Sequence, residues 1–335
     1  MMGEPRNARR RLVLRTGILA LNLTAAAAGA AQGWSITSAD TWSDPALPEG
    51  LSGITYAGGE RYYAVDDSGG RLYTLKIVLE DSGAIRSAAA VATNVCAGGI
   101  DLEGVAWDRL SNTVYVSDEV GPAIREHAAT GGVAQANLAI PEVFKRHRPN
   151  YSLESLSMSP DGLLLWTANE EALLDDGLPA STSTPSVVRL QRWARGTPQS
   201  PWRPAGQWAC QTSRLSEASP FTKQLRCGVV DLCALPGGHL LLLERELGGY
   251  LPTFRSRLFI LGFAGATDVA ELPALRGAAY TPVSRTLLWE ADCGPLDNFE
   301  GLCLGPTLPG GGRSLILVGD GDPPQRPSLH ALVLR

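Results

Sequence analysis

The chain has 335 residues, a net charge of −5 and 44% hydrophobic residues, which is ample apolar material for a large core and too much for a disordered chain. Mild acidity without a long basic stripe excludes nucleic acid as a partner. The four histidines, His127, His147, His239 and His330, lack zinc-ligand spacing, and GxSxG, GxGxxG and GxxxxGK[ST] are all missing, which excludes the commonest zinc, serine-nucleophile and phosphate-loop chemistries.

The first 30 residues read as an export signal. Arg6, Arg9, Arg10, Arg11 and Arg15 form a basic start, Ile18 to Ala28 an apolar stretch, and Ala28-Gly-Ala30 a small-residue cleavage site. Arg9-Arg10 followed by Arg11-Leu-Val13 also resembles a twin-arginine signal. The apolar stretch is far shorter than the ~20 residues of a spanning helix, so a secreted or periplasmic protein without stable membrane insertion is expected. Export permits disulfides, and six cysteines without a CxxC fit that setting. Cys210 with Cys227 and Cys293 with Cys303 each close a short loop between strand candidates and are the expected pairs.

From Trp34 onward the chain is organised by a repeat. Leu51-Ser-Gly-Ile-Thr-Tyr56, Leu102-Glu-Gly-Val-Ala-Trp107 and Leu153-Glu-Ser-Leu-Ser-Met158 lie in one phase, with Gly53, Gly104 and Ser155 each 51 residues apart. Asp67, Asp118 and Asn169 each follow 14 residues later, at the end of a second β-rich run. Weaker copies begin at Val230, Arg276 and Phe299, the last ending at Leu315 to Asp320. Gly/Pro/Asp turns such as Asp67-Ser-Gly-Gly70 and Ser159-Pro-Asp-Gly162 separate the runs.

A unit of about 50 residues built of short apolar strands is the mark of a β-propeller blade, which must stack on its neighbours to bury its faces. Residues 34–335 are therefore expected to form one all-β propeller of six blades, with five as the alternative because Gly277 and Gly301 leave room for only two strands. Leu329 to Leu334 reads as a ring-closing strand, and Trp34 to Pro48 as a closing strand or lead-in. Ala194 to Arg226 reads as a long irregular insertion.

First strands line the channel of a propeller, so residues in equal phase form rings. Glu103, Glu154 and Glu300 then converge, with Ser52, Val230 and Arg276 in the same ring and Asp231 one step later. A second ring collects Asp67, Asp118, Asn169, Arg245 and Asp320, flanked by Glu119, Glu170, Glu244 and Glu246. So many hard oxygen donors suit Ca²⁺, with Glu103, Glu154, Asp231, Glu300, Asp67, Asp118 and Asp320 as candidate ligands. A cation there would polarise a phosphoryl or carbonyl oxygen, whereas Glu103, Glu154 and Glu300 without a metal would act as general bases. Arg148, in the basic run Lys145-Arg-His-Arg148, and Arg245 are candidates for gripping an anionic substrate.

Asp101-Leu-Glu-Gly104, Arg148-Pro-Asn-Tyr-Ser-Leu-Glu154, Leu241-Leu-Leu-Glu-Arg-Glu246 and Asp297-Asn-Phe-Glu-Gly-Leu302 together resemble the phytase-like family, described as having esterase-like activity. The likeness spans nearly all of the chain after the leader. It implies an exported β-propeller hydrolase acting on a phosphate ester with Ca²⁺, with Glu103, Glu154 and Glu300 at the family's Glu-Gly positions, although Ser155 replaces one glycine and the aspartate-rich signatures of true propeller phytases are missing. A lactonase-like propeller with an axial metal and a non-catalytic binding propeller are the alternatives, and a monomer taking a small anionic substrate is expected.

Overall fold

A computed structural model describes residues 33–294, 297–321 and 327–335. The expected export signal lies outside the described residues. After β1 (Ile36–Ser43) come β2 (Leu51–Tyr56), β3 (Arg61–Asp66), β4 (Arg71–Leu79) and β5 (Ile85–Ala97), then β6 (Leu102–Asp108), β7 (Thr113–Asp118), β8 (Ala123–Ala128) and β9 (Gly131–Asn137). The next group is β10 (Ser157–Met158), β11 (Leu164–Ala168), β12 (Val187–Ala194) and β13 (Arg203–Gln211). It is followed by β14 (Arg226–Ala234), β15 (Leu240–Gly248), β16 (Thr253–Gly262) and β17 (Ser284–Gly294), and finally by β18 (Phe299–Thr307), β19 (Arg313–Gly319) and β20 (Ser328–Leu334).

Each group is an antiparallel meander, and a short parallel bridge between β5 and β9 joins the first two into one sheet. The last group has three strands of its own and takes its fourth from β1, which pairs with β20 from Ile36↔Leu334 to Ser43↔Ser328. Ser35 and Arg335 exchange backbone hydrogen bonds of 2.8 and 2.9 Å beyond that ladder. Both expected closing segments are thus used, with β20 inside the sheet and β1 at its edge.

The inner strands β2, β6, β10, β14 and β18 pack one against the next and back to the first. Between neighbouring meanders lie apolar cores: Val65, Leu72 and Val116 between the first two, and Leu153, Leu165 and Trp193 with Tyr115 between the second and third. Val188 and Leu242 share the following core, Leu243 and Leu317 the next, and Leu75 with Ile316 the one that closes the cycle. No meander could bury these faces alone, since a sheet hides an apolar face only against another layer.

Three sequence expectations change. The run Arg276 to Tyr280 forms no strand, and Leu287 to Glu290 lies inside β17, the outer strand of the fourth meander, so the short extra blade read between Gly277 and Gly301 does not exist as a separate sheet. Part of the supposed irregular insertion, Arg203–Gln211, is β13, the outer strand of the third meander. The six cysteines are buried free thiols. Cys293 and Cys303 project into different cores on either side of the last sheet, and Cys210 and Cys227 lie in separate buried clusters, so neither expected bridge forms.

Candidate functional site

The Glu-Gly step of the repeat has a structural cause. Pairing of the inner strands slips between Leu51 and Gly53, Leu102 and Val105, Val229 and Asp231, and Phe299 and Gly301. Bulges of this kind re-aim side chains next to functional sites, and the residues they release from the ladder include Ser52, Glu103, Val230 and Glu300. The glycines that follow let neighbouring inner strands touch. A Cβ on Gly53 would lie 2.3 Å from the Glu103 carbonyl, one on Gly104 2.4 Å from the Leu156 nitrogen, and one on Gly301 2.9 Å from the Ser52 carbonyl. Ser155 is accommodated in the third blade because its Oγ accepts the Ala168 N–H at 2.8 Å.

In the fourth blade Asp231 occupies the glycine step. Its carboxylate accepts the Leu302 N–H at 2.6 Å and the Leu232 N–H at 2.8 Å, and bonds the Leu156 amide as well. Burial nevertheless pushes it well above the usual carboxylate range. Asp231 thus ties its own strand to β18 and to the segment entering β10.

On one side of this level lie the acids. Asp101, Glu103 and Glu119 offer oxygens all within 4.8 Å of one another. Asp101 and Glu103 share a hydrogen bond, as do Glu119 and Glu154, and Glu119 also accepts the Ser152 N–H at 2.6 Å. A hydrogen bond between two carboxyl groups requires a proton, because an ionised carboxylate only accepts. Arg245 reaches into the group from β15, with Nη2 on Glu170 at 2.7 Å and Nη1 on Glu300. Asn298 Nδ2 donates to Glu300 at 2.7 Å and to Asp320 at 3.3 Å.

These groups share one electrostatic field. Burial, then the charges of Glu300, Asp101, Glu119 and Asp67, push Glu103 well above its ordinary pKa. Burial and Glu103, Glu170 and Glu119 do the same to Glu154. Glu300 is pushed up to about 8 by burial, against the pull of Arg245 and with Asp320 and Asp67 adding to the rise. Asp101 and Glu119 are also raised, burial again being the first cause.

Glu103, Glu154 and Glu300 therefore stand in one field, and Asp67, Asp320 and Arg245 act on it. Asp118 is held differently: it pairs with Arg125 inside its own blade and accepts the Val120 N–H at 3.1 Å. Its counterpart in the first blade is Asp66, which faces Leu51 as Asp118 faces Leu102 and pairs with Arg71 at 2.8 Å. The first hairpin is one residue shorter, turning after Tyr56↔Tyr62 where the second turns after Asp108↔Thr113, and the 14-residue count slips there. Allowing for that slip, Asp67, Glu119, Glu170 and Asp320 form one set, their amides bonded to the carbonyls of Gly50, Asp101, Ser152 and Asn298, each the residue before Leu51, Leu102, Leu153 or Phe299. Arg148 is spent on the carbonyls of Ala172 and Gly177, at 3.1 and 2.9 Å. Glu244 and Glu246 belong to a separate buried ladder with Arg257 and Arg285, and they anchor the amides of Ser213 and Ser216 at 2.6 Å each.

A cyclic array of four-stranded antiparallel sheets, sealed by its first strand and carrying acids where the inner strands enter, is a β-propeller. The chain belongs to the phytase-like family, described as "Esterase-like activity of phytase", whose model matches residues 48–322. No curated protein matches it in sequence. Among solved structures it is similar to the hydrazine synthase of Kuenenia stuttgartiensis, with 10% identity and a TM-score of 0.38 over 81% of this chain, which spans 56% of that one. It is also similar to the WD40 β-propeller domain of Doa1, with 9% identity and a TM-score of 0.37 over 90% of this chain and 97% of that one. A third similar structure is U3-55K, with 9% identity and a TM-score of 0.41 over 89% and 98% of the two chains.

Proposed function

We propose that this chain is an exported hydrolase of phosphate esters, a five-bladed member of its family, working with Ca²⁺ at the axial carboxylates. The observation that carries the reading is the convergence of Asp101, Glu103 and Glu119 within 4.8 Å, beside Glu154 and Glu300, where Arg245 is the cation in direct contact. The grouping of the strands supports the reading of five blades, and the sequence of residues 1–30 supports that of export.

The donor set fits a hard cation, being all oxygen with no nitrogen or sulfur in the cluster. Asp101 with Glu103 and Glu119 with Glu154 are close carboxyl pairs raised above their ordinary range by burial, and a divalent ion would hold such pairs together in place of a shared proton. Asp101, Glu103 and Glu119 would hold the ion, with Glu154 and Glu300 completing the shell, and when bound it would supply a Lewis acid for a phosphoryl oxygen. Arg245 orients Glu300 and Glu170 and presents positive charge to an anionic substrate. Glu300, pushed up to about 8, would accept a proton from water once it is ionised, so its role as a base would grow as pH rises towards that value.

Calorimetry with Ca²⁺ on the mature protein and on Glu103→Gln/Glu300→Gln, together with turnover of p-nitrophenyl phosphate with and without chelator, tests this. Loss of Ca²⁺ binding in the folded double variant and chelator-sensitive phosphate release are expected. Undiminished Ca²⁺ affinity in the variant defeats the metal assignment, and lactone turnover without phosphate release would favour a lactonase instead.

A further inference from the structure

The opposite end of the channel carries a second pocket, remote from the carboxylates in chemistry and in level. Beyond the layer of Gly53, Gly104, Ser155, Asp231 and Gly301, the inner strands present Ile54, Val105, Leu156 and Leu302, all nearly fully buried. Two residues further on comes a ring of Tyr56, Trp107, Met158, Ala234 and Leu304, one side chain from each blade. All but Ala234 remain partly exposed. Together these layers line a cavity of about 320 Å³. That size lies at the lower end of the range for small-ligand sites, roughly 300–1,000 Å³, which are mainly apolar with a few polar groups that fix orientation.

The rim supplies the polar groups. Arg109 and Arg313 both line the cavity, and among the described residues neither has a carboxylate partner. Arg313 gives Nε and Nη2 to the Gly305 carbonyl at 3.3 and 2.9 Å, which fixes the guanidinium and leaves Nη1 for another acceptor. The two acids nearby are engaged. Asp108 pairs with Arg195 at 2.7 Å, and Asp161 accepts from the Ser159 hydroxyl at 2.5 Å and the Leu163 amide at 3.0 Å. The Trp107 indole N–H is buried without an acceptor among the described residues.

From this combination we infer that the pocket binds a compact aromatic carboxylate, its ring within the Tyr56, Trp107, Met158 and Leu304 collar and its anion on Arg313 and Arg109. The aromatic body suits a collar containing an indole and a thioether, and the planar guanidinium suits a carboxylate. Blade four makes the room: where its neighbours carry a tyrosine, a tryptophan, a methionine and a leucine, it carries Ala234. The Asp231 level separates this pocket from the acidic end, so the inference does not depend on the proposed hydrolase activity.

Titration of the full mature protein with 2-naphthoate, followed by tryptophan fluorescence and saturation-transfer NMR, tests it. Saturable binding is expected, with 2-naphthylmethylamine binding about tenfold more weakly because it places a cation against two arginines. Arg313→Gln is expected to weaken naphthoate about tenfold, and Ala234→Trp, which fills the cavity, to abolish binding. Met158→Trp at the half-exposed collar repeats the blocking test if Ala234→Trp fails to fold. Absence of saturable naphthoate binding, or binding untouched by whichever filling variant folds with a wild-type melting curve, overturns the pocket. Equal binding of the amine overturns the anionic class of ligand.

Discussion

Replacing Arg245 by Met tests the electrostatics of the axial cluster most directly. The residue is 8% exposed and its guanidinium contacts Glu170 and Glu300, so its loss leaves the buried Glu170 without its cation and Glu300 without its guanidinium partner, beside Glu103 and Glu154. Removing one partner of a buried ion pair costs about 3–5 kcal/mol, and methionine fills much the same space, so a loss of that size is expected near neutral pH. The loss should also depend on pH. Glu300 titrates at about 8 in the native protein with Arg245 pulling it down, and without Arg245 its folded pKa moves higher still, far above the ordinary glutamate value of roughly 4.3. Below pH 8 both native proteins keep that proton, and the penalty is constant. Above it the wild type releases the proton while the variant retains it, so the native variant binds more protons than the native wild type and its stability falls more steeply with pH. Urea denaturation of both proteins at pH 6, 7.5 and 9 measures this. A loss under about 1 kcal/mol, or one that shrinks from pH 7.5 to 9, would refute the reasoning.

Three further expectations rest on separate features. Ca²⁺ affinity should rise with pH, and binding should release protons, because Asp101, Glu103, Glu119 and Glu154 all hold raised pKa values that a cation would depress; calorimetry in buffers of different ionisation enthalpy counts the protons, and a count of zero counts against the site. Gly104→Ala should cost about 1–3 kcal/mol through its 2.4 Å approach to the Leu156 nitrogen, whereas Ser155→Ala should cost about 1 kcal/mol through the bond to the Ala168 amide; thermal melts that rank the two the other way would contradict the close-packing argument. Burial of His330 between Trp289 and Phe299 lowers its pKa to about 4, so the unfolded chain binds the extra proton between that value and roughly 6.5, and stability is lost as pH falls through this window, by up to about 3 kcal/mol. His330→Gln should flatten this acid limb when urea midpoints at pH 7 and 4.5 are compared.

The repeat was legible because blades solve the same packing problem with the same residues. Leu51, Leu102 and Leu153 are all fully buried at the start of the inner course, and Gly53 and Gly104 stand where neighbouring backbones touch. What the spacing could not show was pairing. A hairpin shorter by one residue moved the equivalence from Asp67 to Asp66, and the ring of carboxylates from Asp118 to Glu119. Bulges that release Glu103 and Glu300 leave only the following glycine as a trace in the chain. Asp231 reads as one more channel acid, yet backbone amides from adjoining strands occupy its oxygens, a fate decided by residues 71 positions away at Leu302. The cysteines misled for the related reason that loop length says nothing about which face of a strand a thiol occupies. Strand candidates after Ala194 failed where the fourth blade lengthened, because apolar runs such as Leu287 to Glu290 serve equally as inner or outer strands.

The seam between Ile36 and Leu334 has a consequence for how the molecule comes apart. It unites segments almost 300 residues apart, so its formation carries a heavier loop-closure cost than any hairpin within a blade. The circle therefore behaves like a bracelet whose clasp fastens last and opens first. Damage at either extremity loosens the same fastening, and trimming both together should harm the protein less than the sum of the two separate injuries.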